Sequence, residues 1–233
     1  MLKSITFDLG DTLLYYEGVP LNWSLHYQQA LTRGFMAAGC PGSDSSLGVA
    51  SEILARHNTR LHPREVECSA QRIFSEICEA VAVDTSLQEA ISNGFFSYFQ
   101  QKAVLYADTI AALTALKERG VRIGILTDVA YGMPKAFVER DISPFRDWVD
   151  VLLTSVDVGY RKPSPVGYRM LAEALGVAPS QMVYVGNEEK DILGANRAGF
   201  QASVLIHRGG ETTDFGQNLS FSDLEQATAY FLR

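Results

Sequence analysis

The sequence predicts an α/β protein with a doubly wound parallel sheet and a helical insertion after the first strand. Apolar runs of four to six residues, most of them without polar alternation, recur along the chain, which is typical of strands buried on both faces of a parallel sheet. Helical patterns with short connections separate the later runs, and this order builds a doubly wound sheet. The stretch 16–102 shows helical spacing and no convincing strand.

Each predicted element has its own local signal. Asp108 or Thr109 can cap the start of a helix that ends at Gly120, because short polar side chains favour helix starts and glycine favours helix ends. Pro165 suits the first position of a helix that ends at Gly176. The predicted strands are 4–7, 121–126, 149–153, 182–185 and 202–206.

The inserted stretch is predicted to be helical throughout. Aromatic and aliphatic side chains recur at helical spacing over 23–35, and a second stripe that begins with Val66 follows a predicted helix start at Pro63. We interpret both stripes as helix-packing core. The predicted domains are an α/β core, residues 1–15 and 103–233, and a helical cap, residues 16–102.

Composition excludes several classes of protein. Lysine and arginine total 20 against 27 acidic residues, a formal net charge of −7, which argues against a general nucleic-acid binder and a polybasic membrane anchor. No run of 18 apolar residues and no signal-peptide layout is present. Cys40, Cys68 and Cys78 are odd in number and lack C-x-x-C spacing, as expected of thiols in a reducing cytosol. We expect a cytoplasmic protein without nucleic-acid or membrane partners.

Polar residues follow the predicted strands at four places. Asp8 follows the first strand, Thr127 ends the second, Lys162 precedes a helix start between prolines, and 187–191 follows the fourth strand. Because ligands of such sheets bind beyond the carboxyl ends of the strands, we expect these groups to converge. A carboxylate, a hydroxyl, a lysine and a second acid suit phosphoryl transfer through an aspartyl-phosphate, with magnesium neutralising charge.

The chain resembles the haloacid dehalogenase superfamily in four ordered segments. They are FDLGDTL at 7–13, ILTD at 125–128, GYRKPSP at 159–165 and VGNEEKDILGANRAG at 185–199. The resemblance implies a Rossmann-like core with a helical cap inserted after the first motif. It also implies a hydrolase, specifically a magnesium-dependent phosphatase that acts on a small phosphorylated metabolite.

The resemblance assigns a role to each matching residue. Asp8 matches the nucleophile that becomes phosphorylated, Thr127 the hydroxyl that binds the transferring phosphoryl group, and Lys162 the lysine that steadies both. Asp128, beside Thr127, is predicted to bind phosphate, and Asp191 matches the second acid of the fourth motif. The predicted magnesium ligands are Asp8, Gly10 through its carbonyl, Asn187 and Asp191.

Two positions depart from the pattern of the family. Phosphatases of the family usually carry, two residues after the nucleophile, an Asp that protonates the leaving oxygen and then activates water. This chain has Gly10 there and Asp11 one residue later, so an acid–base role for Asp11 stays open. Since general acid–base catalysis typically raises the rate by about 10²–10⁴-fold, we expect slow turnover or a need for good leaving groups. Asn187 replaces a magnesium-binding Asp, so we expect weak magnesium binding unless Glu188 or Glu189 contributes.

Three alternative functions compete with the phosphatase. A 2-haloacid dehalogenase would use the same Asp8 without magnesium, but the resemblance would then imply Tyr at position 10 and a Ser-x-x-x-x-Asp-type fourth motif, and neither is present. A phosphate-transferring mutase depends on the missing Asp. A phosphate- or metabolite-binding regulator with little catalysis is the alternative that Gly10 and Asn187 keep open.

Substrate choice is predicted to lie in the cap. Packing within the first cap helix is the alternative role for Trp23 and His26. Hinges are predicted near 14–18 and 100–106, where the chain crosses between domains, and the protein is expected to be a monomer or a homodimer. The candidates for substrate recognition are Tyr15, Tyr16, Trp23, His26 and Arg33.

Overall fold

The computed structural model describes residues 2–100 and 102–233, so Met1 and Gln101, which the predicted ranges include, lie outside the described residues. The main sheet has six parallel strands in the order β5-β4-β1-β6-β7-β8, and β2 and β3 form a separate two-stranded sheet. The strands are β1 (Ser4–Phe7), β2 (Leu14–Tyr16), β3 (Ala103–Leu105), β4 (Arg122–Thr127), β5 (Val151–Thr154), β6 (Met182–Gly186), β7 (Ala202–Ile206) and β8 (Leu219–Phe221).

The predicted α/β fold class is confirmed. Phe7 pairs with Ile125 of β4 on one side and with Val185 of β6 on the other. The carboxyl ends of these three neighbouring strands therefore lie side by side. Asp8, Asp128 and the loop after Gly186 all start from this edge.

Helices connect the strands and fill the insertion. Pro165 begins α8 and Gly176, in a left-handed conformation, ends it, as the sequence predicted. The helices are α1 (Tyr27–Ala37), α2 (Asp44–His57), α3 (Ala70–Ala80), α4 (Gln88–Gln100), α5 (Thr109–Glu118), α6 (Lys135–Asp141), α7 (Ser155–Val158), α8 (Pro165–Leu175), α9 (Glu189–Ala198) and α10 (Leu224–Phe231).

One helix start differs from the prediction. The helix expected after Pro63 begins at Ala70, because the Ser69 side chain caps it, and Val66 is exposed. The helix expected at Asp108 or Thr109 does begin there, but the Asp108 side chain makes no capping bond to α5. Both oxygens of its carboxylate instead accept hydrogen bonds from one nitrogen of Arg208, Nη1.

The chain divides into two compact units. Unit 1 comprises residues 2–15, 104–128 and 142–233, and unit 2 comprises Tyr16–Ala103 and Val129–Asp141. The predicted cap, 16–102, was wrong to omit 129–141. That segment joins unit 2 because the Tyr131 and Tyr27 hydroxyls share a hydrogen bond, and because the Gln100 amide donates to the Phe137 carbonyl.

Unit 1 is built around the main sheet. Tyr168 of α8 meets Tyr184 of β6 edge-to-face, with ring centroids 4.8 Å apart. Leu171 and Leu175 of α8 are buried in the same cluster, and each contributes about 1.5–3 kcal/mol of hydrophobic free energy. This packing fixes α8, and with it the loop that precedes Pro165.

Unit 2 buries a neutral polar cluster, here called the tyrosine cluster, of Asn22, Tyr27, Asn58 and Tyr131. The Asn58 amide donates to the Tyr27 hydroxyl (3.0 Å) and to the Asn22 side-chain oxygen (2.7 Å). The Tyr27 and Tyr131 hydroxyls lie 2.5 Å apart. Since each group has a partner, the cluster avoids the free-energy cost of unsatisfied buried polar atoms.

The residues proposed for substrate recognition take several local positions. Trp23 is buried and stacks on Phe99 at 3.7 Å between ring centroids, which agrees with the packing alternative. His26 Nδ1 lies 3.1 Å from the Tyr98 hydroxyl. Tyr16 donates to the carboxylate of Asp141. None of the helices in the described ranges has the length and apolarity needed to cross a bilayer.

Candidate active site

A lysine between two carboxylates forms the centre of the candidate site. Lys162 Nζ donates to Asp8 Oδ1 at 2.6 Å and also to Asp191 Oδ1. The three side chains, here called the central triad, are almost fully buried. Lys162 Nζ also lies 3.4 Å from the Tyr184 hydroxyl, which in turn donates to the Leu126 carbonyl. The structure thus brings together three of the four residues predicted to be catalytic.

Backbone hydrogen bonds hold each member of the central triad. The Asp8 N–H donates to the Val185 carbonyl, which extends the pairing of β1 with β6 by one residue. Asp191 Oδ2 accepts the N–H groups of Asn187 (3.1 Å) and Glu188 (2.9 Å) at the start of α9. A Cβ at Gly186 would lie 2.5 Å from the Asp191 side chain, so glycine is required for this approach.

Burial and ion pairing have opposite effects on the pKa values of Asp8 and Lys162 in the central triad. Burial raises the pKa of Asp8 to about 6, even though the positive charge of Lys162 lowers it. Burial alone would lower the pKa of Lys162, but the carboxylates of Asp191 and Asp8 outweigh burial and raise the pKa well above its usual value. Lys162 is therefore a fixed cation at neutral pH.

Thr127 and Asp128 end β4 at the same edge, and Thr127 is buried there. Asp128 Oδ1 accepts the Lys162 N–H at 3.1 Å, and Asp128 Oδ2 lies 3.4 Å from Lys190 Nζ and 3.8 Å from the Arg161 guanidinium. Burial would raise the pKa of Asp128, but Arg161, Lys190 and Lys162 hold it below its usual value. An ionised carboxylate accepts hydrogen bonds and donates none. The predicted phosphate-binding role of Asp128 stays a prediction, and its ionised side chain could not donate a hydrogen bond to a phosphate oxygen.

Gly10 and Asp11 have different backbone conformations. Asp11 has φ of +55°, in the left-handed region that favours glycine. Gly10 lies outside that region, and a Cβ built on it would meet nothing within 4 Å. The chain therefore has its acid where glycine fits best, and glycine where an acid would fit.

A cavity of about 340 Å³ lies beside this loop within unit 1. Asp11 lines it together with Asn187 and the end of β7. The negative charge of Asp11 helps to raise the pKa of Tyr106, although burial is the larger cause. In the wall of this cavity, the Arg208 guanidinium lies 3.8 Å from the Tyr106 ring centroid.

The predicted magnesium ligands divide into two sets. Both oxygens of Asp191 are engaged, by Lys162 and by two backbone N–H groups, and its side chain has no exposed surface. The Thr12 hydroxyl donates to Asn187 Oδ1 at 3.3 Å, which places that oxygen beside the loop of Asp8 and Gly10. One carboxylate and two neutral oxygens fit Mg²⁺, which keeps water ligands and binds phosphate oxygens. Asp8, Gly10 and Asn187 offer oxygen donors of the kind this ion takes, whereas both oxygens of Asp191 are already engaged.

Three residues of the site were not predicted. Arg161 and Lys190 pair with Asp128, and the Tyr184 hydroxyl approaches Lys162. Tyr184 carried a signal, because a polar side chain in a strand with both faces buried needs a partner. Lys190 lies inside the fourth motif, but its partner is 62 positions away in the chain, and spacing along the sequence does not reveal such a pair.

Comparison with known proteins identifies the family. The sequence pattern of the haloacid dehalogenase-like hydrolases matches residues 2–199. The chain belongs to this family. The predicted family and the prediction of a hydrolase are thereby confirmed.

Two curated relatives are phosphatases by name. The chain is 30% identical over 213 residues to the glyceraldehyde 3-phosphate phosphatase of Methanopyrus kandleri, covering 90% of this chain and 85% of that protein. It is also 30% identical over 160 residues to the phosphoserine phosphatase of Thermus thermophilus, covering 67% of this chain and 62% of that protein.

Solved structures share the fold. A HAD phosphatase from Thermococcus onnurineus superposes with a TM-score of 0.67 at 24% identity, covering 99% of this chain and 98% of that chain. A 2-haloacid dehalogenase from Pseudomonas syringae pv. Tomato DC3000 gives a TM-score of 0.69 at 21% identity, covering 100% and 99%. Both likenesses extend over the whole chain, and they concern the fold rather than the reaction.

Proposed function

We propose that the protein is a magnesium-dependent phosphomonoesterase that hydrolyses a small phosphorylated metabolite through an aspartyl-phosphate on Asp8. The observation that carries the proposal is the central triad, in which a buried lysine binds one oxygen of the carboxylate that follows β1. Several curated relatives are named as phosphatases of small metabolites, which supports the same reaction class.

The reaction needs two displacements at phosphorus. In the first, an Asp8 oxygen forms a bond to phosphorus and the bond to the leaving oxygen breaks, so the leaving group departs with the electron pair and takes up a proton. In the second, water attacks the phosphorus of the aspartyl-phosphate, which releases inorganic phosphate and restores the Asp8 carboxylate. Lys162 holds the attacking carboxylate in place, and the Thr127 hydroxyl at the end of β4 is proposed to donate to the phosphoryl group.

Charge at the site supports a requirement for a divalent cation. Among the described residues, the ion pairs at this edge that involve Lys162, Arg161 and Lys190 join these three cations to four carboxylates, one more negative than positive charge. A phosphate dianion would be repelled by that excess. Asp8, Gly10 and Asn187 would hold Mg²⁺, which would supply positive charge for the developing phosphoryl oxygens. With only one carboxylate among these ligands, we propose that the affinity for magnesium is weak.

Proton delivery to the leaving group is proposed to limit turnover. Gly10 has no side chain to serve as the acid, and Asp11 occupies a left-handed position that lines the cavity beside Tyr106 and Asn187. Substrates whose leaving oxygen needs no proton should therefore react fastest.

Phosphate release from p-nitrophenyl phosphate and from a panel of phosphorylated metabolites tests the proposal. The assay is run with magnesium, with a chelator, and with Asp8→Asn. We expect release that needs both magnesium and Asp8, and faster release from p-nitrophenyl phosphate than from the metabolites. Binding of phosphate without any release would favour a regulator, and release of halide from a 2-haloacid without magnesium would favour a dehalogenase.

A further inference from the structure

Lys190 differs from the other two cations at the candidate site in its exposure. The side chains of Lys162 and Arg161 are 2% and 6% exposed, whereas that of Lys190 is 25% exposed. Both hydrogen-bonded carboxylates of the central triad already share the charge of Lys162. Of these three cations, Lys190 is the one that a ligand in solution can reach without displacing buried groups.

Two carboxylates on different elements hold the Lys190 ammonium in place. Asp128, at the end of β4, lies 3.4 Å from Lys190 Nζ, and Glu188, at the start of α9, lies 3.0 Å from it. Held on two sides, the ammonium loses much of the rotational freedom that an exposed lysine normally has. It is therefore preorganised, which reduces the entropic cost of binding an anion.

Contacts also connect Lys190 to the nucleophile. One oxygen of Asp128 lies 3.4 Å from Lys190 Nζ, and its other oxygen accepts the Lys162 N–H at 3.1 Å. Lys162 Nζ in turn donates to Asp8 at 2.6 Å. Asp128 therefore connects the ammonium of Lys190 to the residue that holds Asp8.

We propose that Lys190 is a second cation that contacts the phosphate group of the substrate, and that Asp128 is the positioning residue that holds it. This inference rests on the proposed phosphatase function. Asp128 also fixes the start of the Lys162 loop through the Lys162 N–H, so one buried carboxylate orients cations on two separate elements, the loop before α8 and the first turn of α9.

Lys190→Met tests the contact, because methionine keeps much of the length and removes the charge. We measure the affinity for inorganic phosphate by calorimetry in the presence of magnesium, and KM and kcat for p-nitrophenyl phosphate. A charge-assisted hydrogen bond to phosphate predicts a loss of about 10- to 100-fold in phosphate affinity. KM should rise by a similar factor, and Lys190→Arg should restore most of the loss.

Lys117→Met is the matched control, since Lys117 is a similarly exposed lysine paired with Asp150 in the same unit. It should bind phosphate as tightly as the wild type does. Lys190→Met that binds phosphate within twofold of the wild type would overturn the proposal while leaving the phosphatase function intact. A wild-type protein that neither binds nor releases phosphate would remove both.

A double-variant cycle tests the positioning role of Asp128. Asp128→Asn keeps an oxygen for the Lys162 N–H and loses the charge that holds Lys190. We expect it to weaken phosphate binding by about 3- to 10-fold alone, and to cause no further loss when Lys190 is already methionine. An equal loss in both backgrounds would show that Asp128 acts through another group, and would overturn this role.

Discussion

The two units bury polar groups in contrasting ways. The central triad of unit 1 buries full charges, and a lysine there holds two carboxylates. The tyrosine cluster of unit 2 buries only hydroxyls and amides, and burial raises the pKa of Tyr131, so its hydroxyl stays neutral. Buried ion pairs contribute little net stability, because desolvation offsets their attraction, whereas satisfied neutral groups cost little. The difference agrees with the proposal that unit 1 retains its charges for catalysis, and the polar groups of unit 2 serve packing.

The largest expected effect is a loss of activity without a loss of stability, at the central triad. Asp8→Asn removes the nucleophile, so we expect phosphate release to fall by about 10⁴-fold or more. It also removes a carboxylate whose burial is unfavourable, so the melting temperature should stay the same or rise. Steady-state assays and calorimetric melting curves measure the two quantities. A large fall in melting temperature would contradict the contrast drawn between the units.

The second prediction concerns the loop that follows the nucleophile. Exchanging the two residues, Gly10→Asp together with Asp11→Gly, places an acid where a Cβ has room and glycine where φ is positive. Since a positioned general acid is typically worth about 10²–10⁴-fold, turnover of metabolites with poor leaving groups should increase. Turnover of p-nitrophenyl phosphate should change far less. An unchanged or lower rate on metabolites would refute the role assigned to Gly10.

The third prediction concerns stability, whereas the first concerns activity. Tyr27→Phe removes the central hydroxyl of the tyrosine cluster and leaves the Tyr131 hydroxyl and one Asn58 bond without their partner. We expect the free energy of unfolding to fall by about 1–3 kcal/mol. Denaturant unfolding measures it, and Tyr230→Phe, at an exposed position, is the control. Equal effects of the two substitutions would be evidence against a stabilising cluster.

The smallest effect concerns a carboxylate that unit 2 does bury. Burial raises the pKa of Asp141 to about 6, although hydrogen bonds from Tyr16 and Gln100 lower it. Because the folded pKa is above the unfolded value, this residue stabilises the fold at low pH, and that contribution is lost as pH rises through about 6. The free energy of unfolding of Asp141→Asn, relative to that of the wild type, should therefore increase by about 1–2 kcal/mol as the pH rises from 5 to 8.

Asp147→Asn provides the control for this pH dependence, because Asp147 is exposed on the surface of unit 1. The stability difference between this variant and the wild type is measured over the same pH range as a reference. If the difference for Asp141→Asn is independent of pH, then Asp141 is ionised in the folded protein as easily as in the unfolded chain.

Sequence reasoning succeeded where a local pattern decides the structure. The strands β1, β6 and β7 are short, mostly apolar runs, and their common edge followed from parallel pairing. The edge strand β8 was missed because its three residues are not fully buried and so lack such a run. The association of 129–141 with unit 2 was missed because it depends on contacts such as that of Tyr131 with Tyr27, between residues far apart in the chain.

The candidate site shows the same limit. Motif order identified Asp8, Lys162 and Asp191, and the structure brings their side chains together. The ion pairs of Asp128 were not predicted, because its partners Arg161 and Lys190 come from two different connections. Neighbours in sequence do not reveal such pairs.

The strand order also has a consequence during synthesis on the ribosome. Among the strands of the main sheet, β1 is the first to be made, yet it lies between β4 and β6. Until about residue 186 has emerged, one edge of β1 has no partner strand and Asp8 lacks the residues that hold it. Such long-range pairing is slow and leaves an apolar edge open to aggregation. The nascent chain therefore has a long interval in which chaperones could bind it, and that interval closes when β6 pairs with β1.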